Sequence, residues 1–356
     1  MVIRGRAPLR VSFGGGGTDV APFCEEQGGA IIGSTINKYA YCSIVPREDD
    51  QIIVHSLDFD MTVKYNTKEN YVYDGRLDLV TAALKAMEIS QGCEVYLQCD
   101  APPGSGLGTS STVMVAMLTA MARWKGIMMD AYAMADLAYQ VERLDLKIDG
   151  GYQDQYAAAF GGFNFIEFHG RNNVVVNPLR IKKDIIHELQ YNLLLCYTGN
   201  IHVSANIIRD QVQNYEKKDA FEAMCEVKAL AYALKDELLK GNLHSFGKLL
   251  DYGWQSKKRM SDKITTPQID ELYDEALKAG ALGGKLLGAG GGGYLLMYCP
   301  YNVRHKVAAR MEQAGGQLAD WNFELRGAQS WVMDDDRWQY GQVSVHMPDG
   351  EYKFDI

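Results

Sequence analysis

Asp100-Ala101-Pro102-Pro103-Gly104-Ser105-Gly106-Leu107-Gly108-Thr109-Ser110-Ser111-Thr112 decides how the rest of the chain is read. Three glycines at alternate positions precede four hydroxyl side chains, and an apolar helical pattern through Val113, Met117, Leu118, Met121 and Ala122 follows. Glycine reaches backbone angles closed to other residues, so such a loop can turn several N–H groups toward one anion. The helix behind it points its positive end back at the loop, which suits a polyphosphate. Pro103 to Ser111 are therefore the candidate nucleotide-phosphate residues, and the hydroxyls are hard oxygen ligands of the kind magnesium prefers. No lysine follows the last glycine in the G-K-[ST] arrangement, and the glycine spacing is not that of a dinucleotide fingerprint.

Working outward, residues 93–99 alternate as a strand feeding the loop, so strand, loop and helix come in the order that phosphate binding requires. Two further glycine clusters stand beside other chemistry. Arg10-Val11-Ser12-Phe13 ends an expected first strand, and Gly14-Gly15-Gly16-Gly17-Thr18-Asp19 follow. Asp19 could accept from sugar hydroxyls or cap the next helix. Lys285-Leu286-Leu287-Gly288-Ala289-Gly290-Gly291-Gly292-Gly293-Tyr294 leads into a strand near residue 295. Residues 130–145 carry an apolar helical face of Met134, Leu137, Ala138 and Val141, with Glu142 one position beyond it. Glycine pairs bracket a short helix that begins near Asp154, a position where the helix dipole favours a carboxylate and where capping is the alternative role. Lys257 and Lys258 end an amphipathic helix through Phe246, Leu250 and Trp254, either as surface charges or as captors of a phosphate.

At 356 residues the chain can build two cores. A net charge of −9 and a pI near 5.3 argue against nucleic acid or an anionic membrane as the main partner. Seven dispersed cysteines without a C-x-x-C pair suggest reduced thiols in a cytoplasmic protein. No apolar run reaches the ~20 residues of a membrane span, and no signal peptide is evident.

Three motifs in order resemble the GHMP kinase superfamily. They are Arg6-Ala7-Pro8-Leu9-Arg10 through Gly14-Gly15-Gly16-Gly17-Thr18-Asp19, then Pro102 through Ser111, then Lys285 through Gly293. The resemblance reaches about residue 331, and the role of the tail beyond Met333 is open. Within the family the chain is most similar to the branch acting on D-glycero-D-manno-heptose 7-phosphate. That likeness rests on Gly151-Tyr152-Gln153-Asp154-Gln155-Tyr156-Ala157-Ala158, Phe160-Gly161-Gly162-Phe163-Asn164, Val176-Asn177-Pro178-Leu179-Arg180-Ile181 and Trp254-Gln255-Ser256-Lys257-Lys258.

The resemblance implies an α+β, two-domain fold with the active site in the cleft. Residues 1–185 would form a β-rich, ribosomal-protein-S5-like domain. Residues 186–356 would form a ferredoxin-like α/β domain with a C-terminal β extension. It further implies that the second motif wraps the ATP phosphates, that Ser110 and Glu142 hold Mg2+, and that Asp154 faces the acceptor hydroxyl with Arg10 beside it. Gly16, Gly17, Thr18 and Asp19 would bind the sugar, and Gly290 and Gly291 would support the loop and the sugar pocket. A phosphorylated acceptor needs cations, for which Lys257 and Lys258 come first and Arg180 and Lys38 second. Residues 55–65 are the candidate adenine-binding region. The implied reaction phosphorylates the anomeric hydroxyl of the heptose phosphate, giving the 1,7-bisphosphate on the way to nucleotide-activated heptose. A kinase for a free sugar such as fucose, a non-catalytic regulator and a lyase are the competing functions, and a homodimer is left open.

Overall fold

The computed structural model describes residues 1–69, 72–170, 173–199, 204–333, 342–347 and 350–355. Strand β1 (Val2–Gly14) changes character along its length. Ile3, Gly5 and Ala7 are buried while Arg4 is exposed, the alternation of a strand with one open face. From Ala7 onward every residue is buried, because Leu9, Val11 and Phe13 meet Leu234, Leu238, Phe246 and Leu250 from the second half of the chain. Arg10 and Ser12 therefore lie on the opposite side of the strand, deep in the molecule.

The chain continues through α1 (Phe23–Glu26), β2 (Gly29–Pro46), β3 (Gln51–Ser56), β4 (Met61–Asn66), α2 (Asp78–Ala86) and β5 (Cys93–Cys99). Next come α3 (Thr109–Lys125), α4 (Ala131–Tyr139), a π-helical turn over Gln140–Asp145, α5 (Gln153–Phe160), β6 (Phe163–Phe168) and β7 (Val174–Pro178). Helix α3 is rich in Ala and Met, buried nearly all round, and stopped by Gly126 in a left-handed C-cap. Asp130 caps α4 by accepting from the Ala133 amide at 2.8 Å.

The second half begins with α6 (Lys183–Asn192), β8 (Leu193–Tyr197), α7 (Ser204–Gln213), α8 (Lys218–Lys240) and α9 (Leu243–Lys258). It continues with α10 (Pro267–Lys278), β9 (Gly283–Leu286), β10 (Tyr294–Tyr298), α11 (Arg304–Gln313) and β11 (Gln317–Leu318). Its four strands form an antiparallel sheet in the order β11–β8–β10–β9. The chain then returns to the first sheet as β12 (Phe323–Glu324) beside β2 and β13 (Gln329–Met333) beside β1. Among the described residues nine strands make that sheet, with the main path β13–β1–β2–β5–β3–β4. A boundary at 185/186 therefore does not separate the two sheets, since the last strands of the second segment complete the first. A separate hairpin, β14 (Gln342–Met347) and β15 (Gly350–Asp355), ends the described chain. The tight turn expected at Pro348-Asp349-Gly350 lies outside the described residues at its first two positions.

Candidate active site

The second and third glycine clusters meet backbone to backbone, and β1 joins the loop at Arg10. Gly104, Gly106 and Gly108 all have left-handed φ, at +74°, +82° and +77°. A Cβ on Gly106 would stand 2.4 Å from the Leu287 carbonyl oxygen, and one on Gly293 would stand 2.2 Å from that of Ser105. The Tyr294 amide donates to the Ser105 carbonyl at 3.1 Å, and the Arg10 amide to the Leu107 carbonyl at 3.2 Å. Glycine is required here by proximity as much as by φ. Gly108 ends the loop as the N-cap of α3, whose first turn receives no side-chain cap. An uncapped helix start of this kind can receive an anion.

Ser110 Oγ donates to Glu142 Oε1 at 2.6 Å, and Ser111 Oγ to Glu142 Oε2 at 2.6 Å. Glu142 is fully buried. The π-helical turn inserts an extra residue per turn and so redirects the helix face that the α-period alone would have set. Gln155 Nε2 donates to Glu142 Oε2 at 2.7 Å, and Arg143 Nη1 lies 3.3 Å from Oε1. Among the described residues no group of three His, Cys, Asp or Glu could hold an ion. The pair Ser110–Glu142 beside an open helix N-terminus is instead a sparse, all-oxygen set, of the kind that suits magnesium where phosphate and water complete the coordination. The residues fit that ion.

Across the loop, Arg10 Nε donates to Asp154 Oδ1 at 2.7 Å and Arg10 Nη2 lies 2.7 Å from the same oxygen. Arg10 Nη1 donates to the Gly106 carbonyl at 2.5 Å, so one guanidinium ties the acid to the loop. A Cβ on Gly108 would come 3.1 Å from Asp154 Cγ. Asp154 lies in the first turn of α5 without capping it. The cap comes from elsewhere in the chain, since Asp19 Oδ2 accepts from the Gln153 amide at 3.1 Å. Asp19 also accepts from the Gly17 amide at 3.1 Å and is buried. Burial, with the charge of Asp154 behind it, pushes the Asp19 carboxyl above its ordinary range.

Lys257 lies in the same cleft, almost wholly buried, with Nζ donating to the Gly288 carbonyl at 2.5 Å and opposite Gly16. Burial first and the Arg10 charge second lower its pKa to about 8. Lys285, at the head of the third motif, reaches across to β1 and donates to the Ser12 carbonyl at 2.9 Å and Ser12 Oγ at 3.2 Å. Burial and the neighbouring Lys257 and Arg10 charges hold its pKa well down.

Asp19, Gly17, Arg10, Asp154, Lys257, Ser110, Ser111 and Glu142 thus line one cleft, closed on its far side by Gly288, Ala289 and Gln211. Other expected residues are placed differently. Lys258, next to Lys257 but turned by the helix, pairs with Asp270 at 3.4 Å outside the cleft. Arg180 is exposed after β7, and Lys38 lies in β2; neither borders the cleft. Thr18 Oγ1 is spent on the Gly15 and Ala30 carbonyls. Gly290 and Gly291 back onto Ile264, leaving Gly288 and Ala289 to face the cleft. Leu107 and Ser105 are buried inside the loop rather than presented by it. Residues 55–65 run through β3 and β4 at the sheet edge, and none borders the cleft. Gln155, Arg143, Gln153 and Gln211 carry bonds that the sequence did not single out.

Residues 70–162 match the GHMP kinases N terminal domain, and residues 234–317 match the GHMP kinases C terminal. The chain is 34% identical over 334 residues to the D-glycero-alpha-D-manno-heptose 7-phosphate kinase of Campylobacter jejuni subsp. jejuni serotype O:2 (92% of this chain, 98% of the relative). It belongs to the GHMP kinase family. Kinases of this family use ATP, and this chain is a sugar phosphotransferase of carbohydrate metabolism. The solved structure of a D-glycero-D-manno-heptose 1-phosphate kinase from Bacteriodes thetaiotaomicron superposes with a TM-score of 0.79 at 33% identity, covering 93% of this chain and 99% of that one. The L-fucokinase/L-fucose-1-P guanylyltransferase of Bacteroides fragilis is 26% identical over 83% of this chain, which spans only 34% of that protein. No helix among the described residues is long and apolar enough to cross a membrane.

Proposed function

We propose that the protein transfers the γ-phosphoryl group of ATP to the anomeric hydroxyl of D-glycero-D-manno-heptose 7-phosphate, releasing ADP and the 1,7-bisphosphate for nucleotide-activated heptose synthesis. One observation carries the reading: the Arg10–Asp154 pair and the Ser110–Glu142 pair border the same glycine loop and line a single cleft. The loop amides and the start of α3 bind the triphosphate. Ser110 and Glu142 would hold Mg2+, which would supply charge neutralisation to the phosphates.

Asp154 accepts the proton of the sugar hydroxyl as that oxygen attacks the γ-phosphorus. Both contacts from Arg10 fall on Oδ1, which leaves Oδ2 for this proton. Arg10 also offsets the charge that develops on the transferring group. Asp19 and the Gly17 region orient the sugar ring, and the Lys257 ammonium meets the phosphate that the acceptor already carries.

The two heptose-kinase relatives are named for acceptors phosphorylated at different positions, 7 and 1. Phosphorus NMR of the enzyme with ATP and the heptose 7-phosphate separates the outcomes. A new anomeric phosphate resonance is expected. Turnover of fucose or unphosphorylated heptose at equal or greater kcat/KM, or product bearing no anomeric phosphate, would overturn the assignment.

A further inference from the structure

We infer that Gln155 is a positioning residue that commits one oxygen of Glu142, so that the carboxylate meets its cation through the other oxygen alone and magnesium is preferred over calcium. The inference rests on the Ser110–Glu142 metal pair proposed above. The two oxygens of Glu142 are held differently. Oε2 accepts two short bonds from fixed donors, Ser111 Oγ at 2.6 Å and Gln155 Nε2 at 2.7 Å. Oε1 accepts from Ser110 Oγ at 2.6 Å, a hydroxyl on the exposed rim of the helix start, with Arg143 Nη1 further off at 3.3 Å.

Ser111 is itself locked, because its hydroxyl oxygen accepts from Gln155 Nε2 at 3.1 Å and from Arg143 Nη2 at 3.2 Å while its proton goes to Glu142. Three side chains from α3, the π-helical turn and α5 therefore grip Oε2 and its nearest donor. Gln155 is fully buried, and its Oε1 has no hydrogen-bond partner among the described residues. A carboxylate can only accept when ionised, so the amide must present Nε2 to Glu142. An apolar side chain of similar length would avoid burying that unpaired oxygen. The amide is thus explained by what its nitrogen holds.

Calcium takes six to eight oxygens and commonly both oxygens of a carboxylate, whereas magnesium keeps octahedral geometry with single-oxygen contacts. A Glu142 whose Oε2 is occupied from two directions cannot swing into bidentate coordination. Ligand orientation by such outer contacts commonly governs metal affinity ~10- to 100-fold.

The test is calorimetry of a non-hydrolysable ATP analogue binding to the full chain in Mg2+, in Ca2+ and in EDTA. For the wild type, Mg2+ should tighten the analogue more than Ca2+ does. In Gln155→Met that Mg2+-over-Ca2+ ratio should fall by ~10-fold or more, with affinity in EDTA unchanged. Ser111→Ala, which removes the other Oε2 donor, should shift the ratio in the same direction and carries the test should Gln155→Met not fold. An unaltered ratio in the folded variants overturns the inference. Glu142→Gln separates this from the underlying reading: if Mg2+ tightens the analogue in that variant as in the wild type, the metal pair itself is wrong.

Discussion

In the proposed reaction the chemistry turns on two residues, Asp154 and Lys257. Asp154→Asn keeps a partner for Arg10 but removes the proton acceptor, so kcat should fall ~10²- to 10⁴-fold with KM for ATP nearly unchanged in steady-state kinetics. Lys257→Met should raise KM for the phosphosugar far more than KM for ATP. The pH profile gives an independent check. Because burial lowers the Lys257 pKa from 10.5 to about 8, its charge is present below that value and lost as pH rises through it. The kcat/KM for the phosphosugar should therefore decline above about pH 8 in the wild type, and that alkaline limb should vanish in Lys257→Met. The choice between Lys257 and Lys258 could not be made from sequence. Adjacent helical positions point about 100° apart, and only the seating of α9 against the third glycine cluster determines which one enters the cleft. Lys285 was equally hidden, since its partner Ser12 stands 273 positions away.

Elements place these residues, and here the sequence was informative where periods are regular. Strand β5, the loop and α3 were readable because a period of two, three glycines and a helical period follow one another. The π-helical turn was not, because an α-helical count through residues 130–145 sets Glu142 beside the buried face rather than inside the molecule. The packing of the third cluster on the loop leads to a paired test. Gly106→Ala adds a Cβ at φ +82° that would stand 2.4 Å from a backbone oxygen, whereas Gly75→Ala adds one at φ +83° with no atom within 4 Å. Gly75→Ala should cost only the left-handed backbone strain, ~1–2 kcal/mol by thermal or denaturant melting. Gly106→Ala should cost more and also weaken ATP-analogue binding, because the loop must move away from Leu287.

At the scale of the molecule, β1 of the large sheet is gripped by α3 on one side and by α8 and α9 from the second half of the chain on the other. The return of β12 and β13 to the first sheet carried no signal in composition, since short strands pair through the backbone wherever topology delivers them. It does carry a prediction. Ending the chain after Leu318 strips both strands and should abolish the cooperative melt, while ending it after Met333 should leave kcat and KM unchanged.

The pairing of Val2 with Met333 has a further consequence. It brings the first strand and the last strand of the large sheet side by side, a few ångströms apart. A short peptide bridge could then join them into a ring, reopened at the hairpin bend where the His169 amide meets the Asn173 carbonyl. Such a permuted gene should encode a working kinase, because the order in which the ribosome supplies these strands is not part of what holds them together.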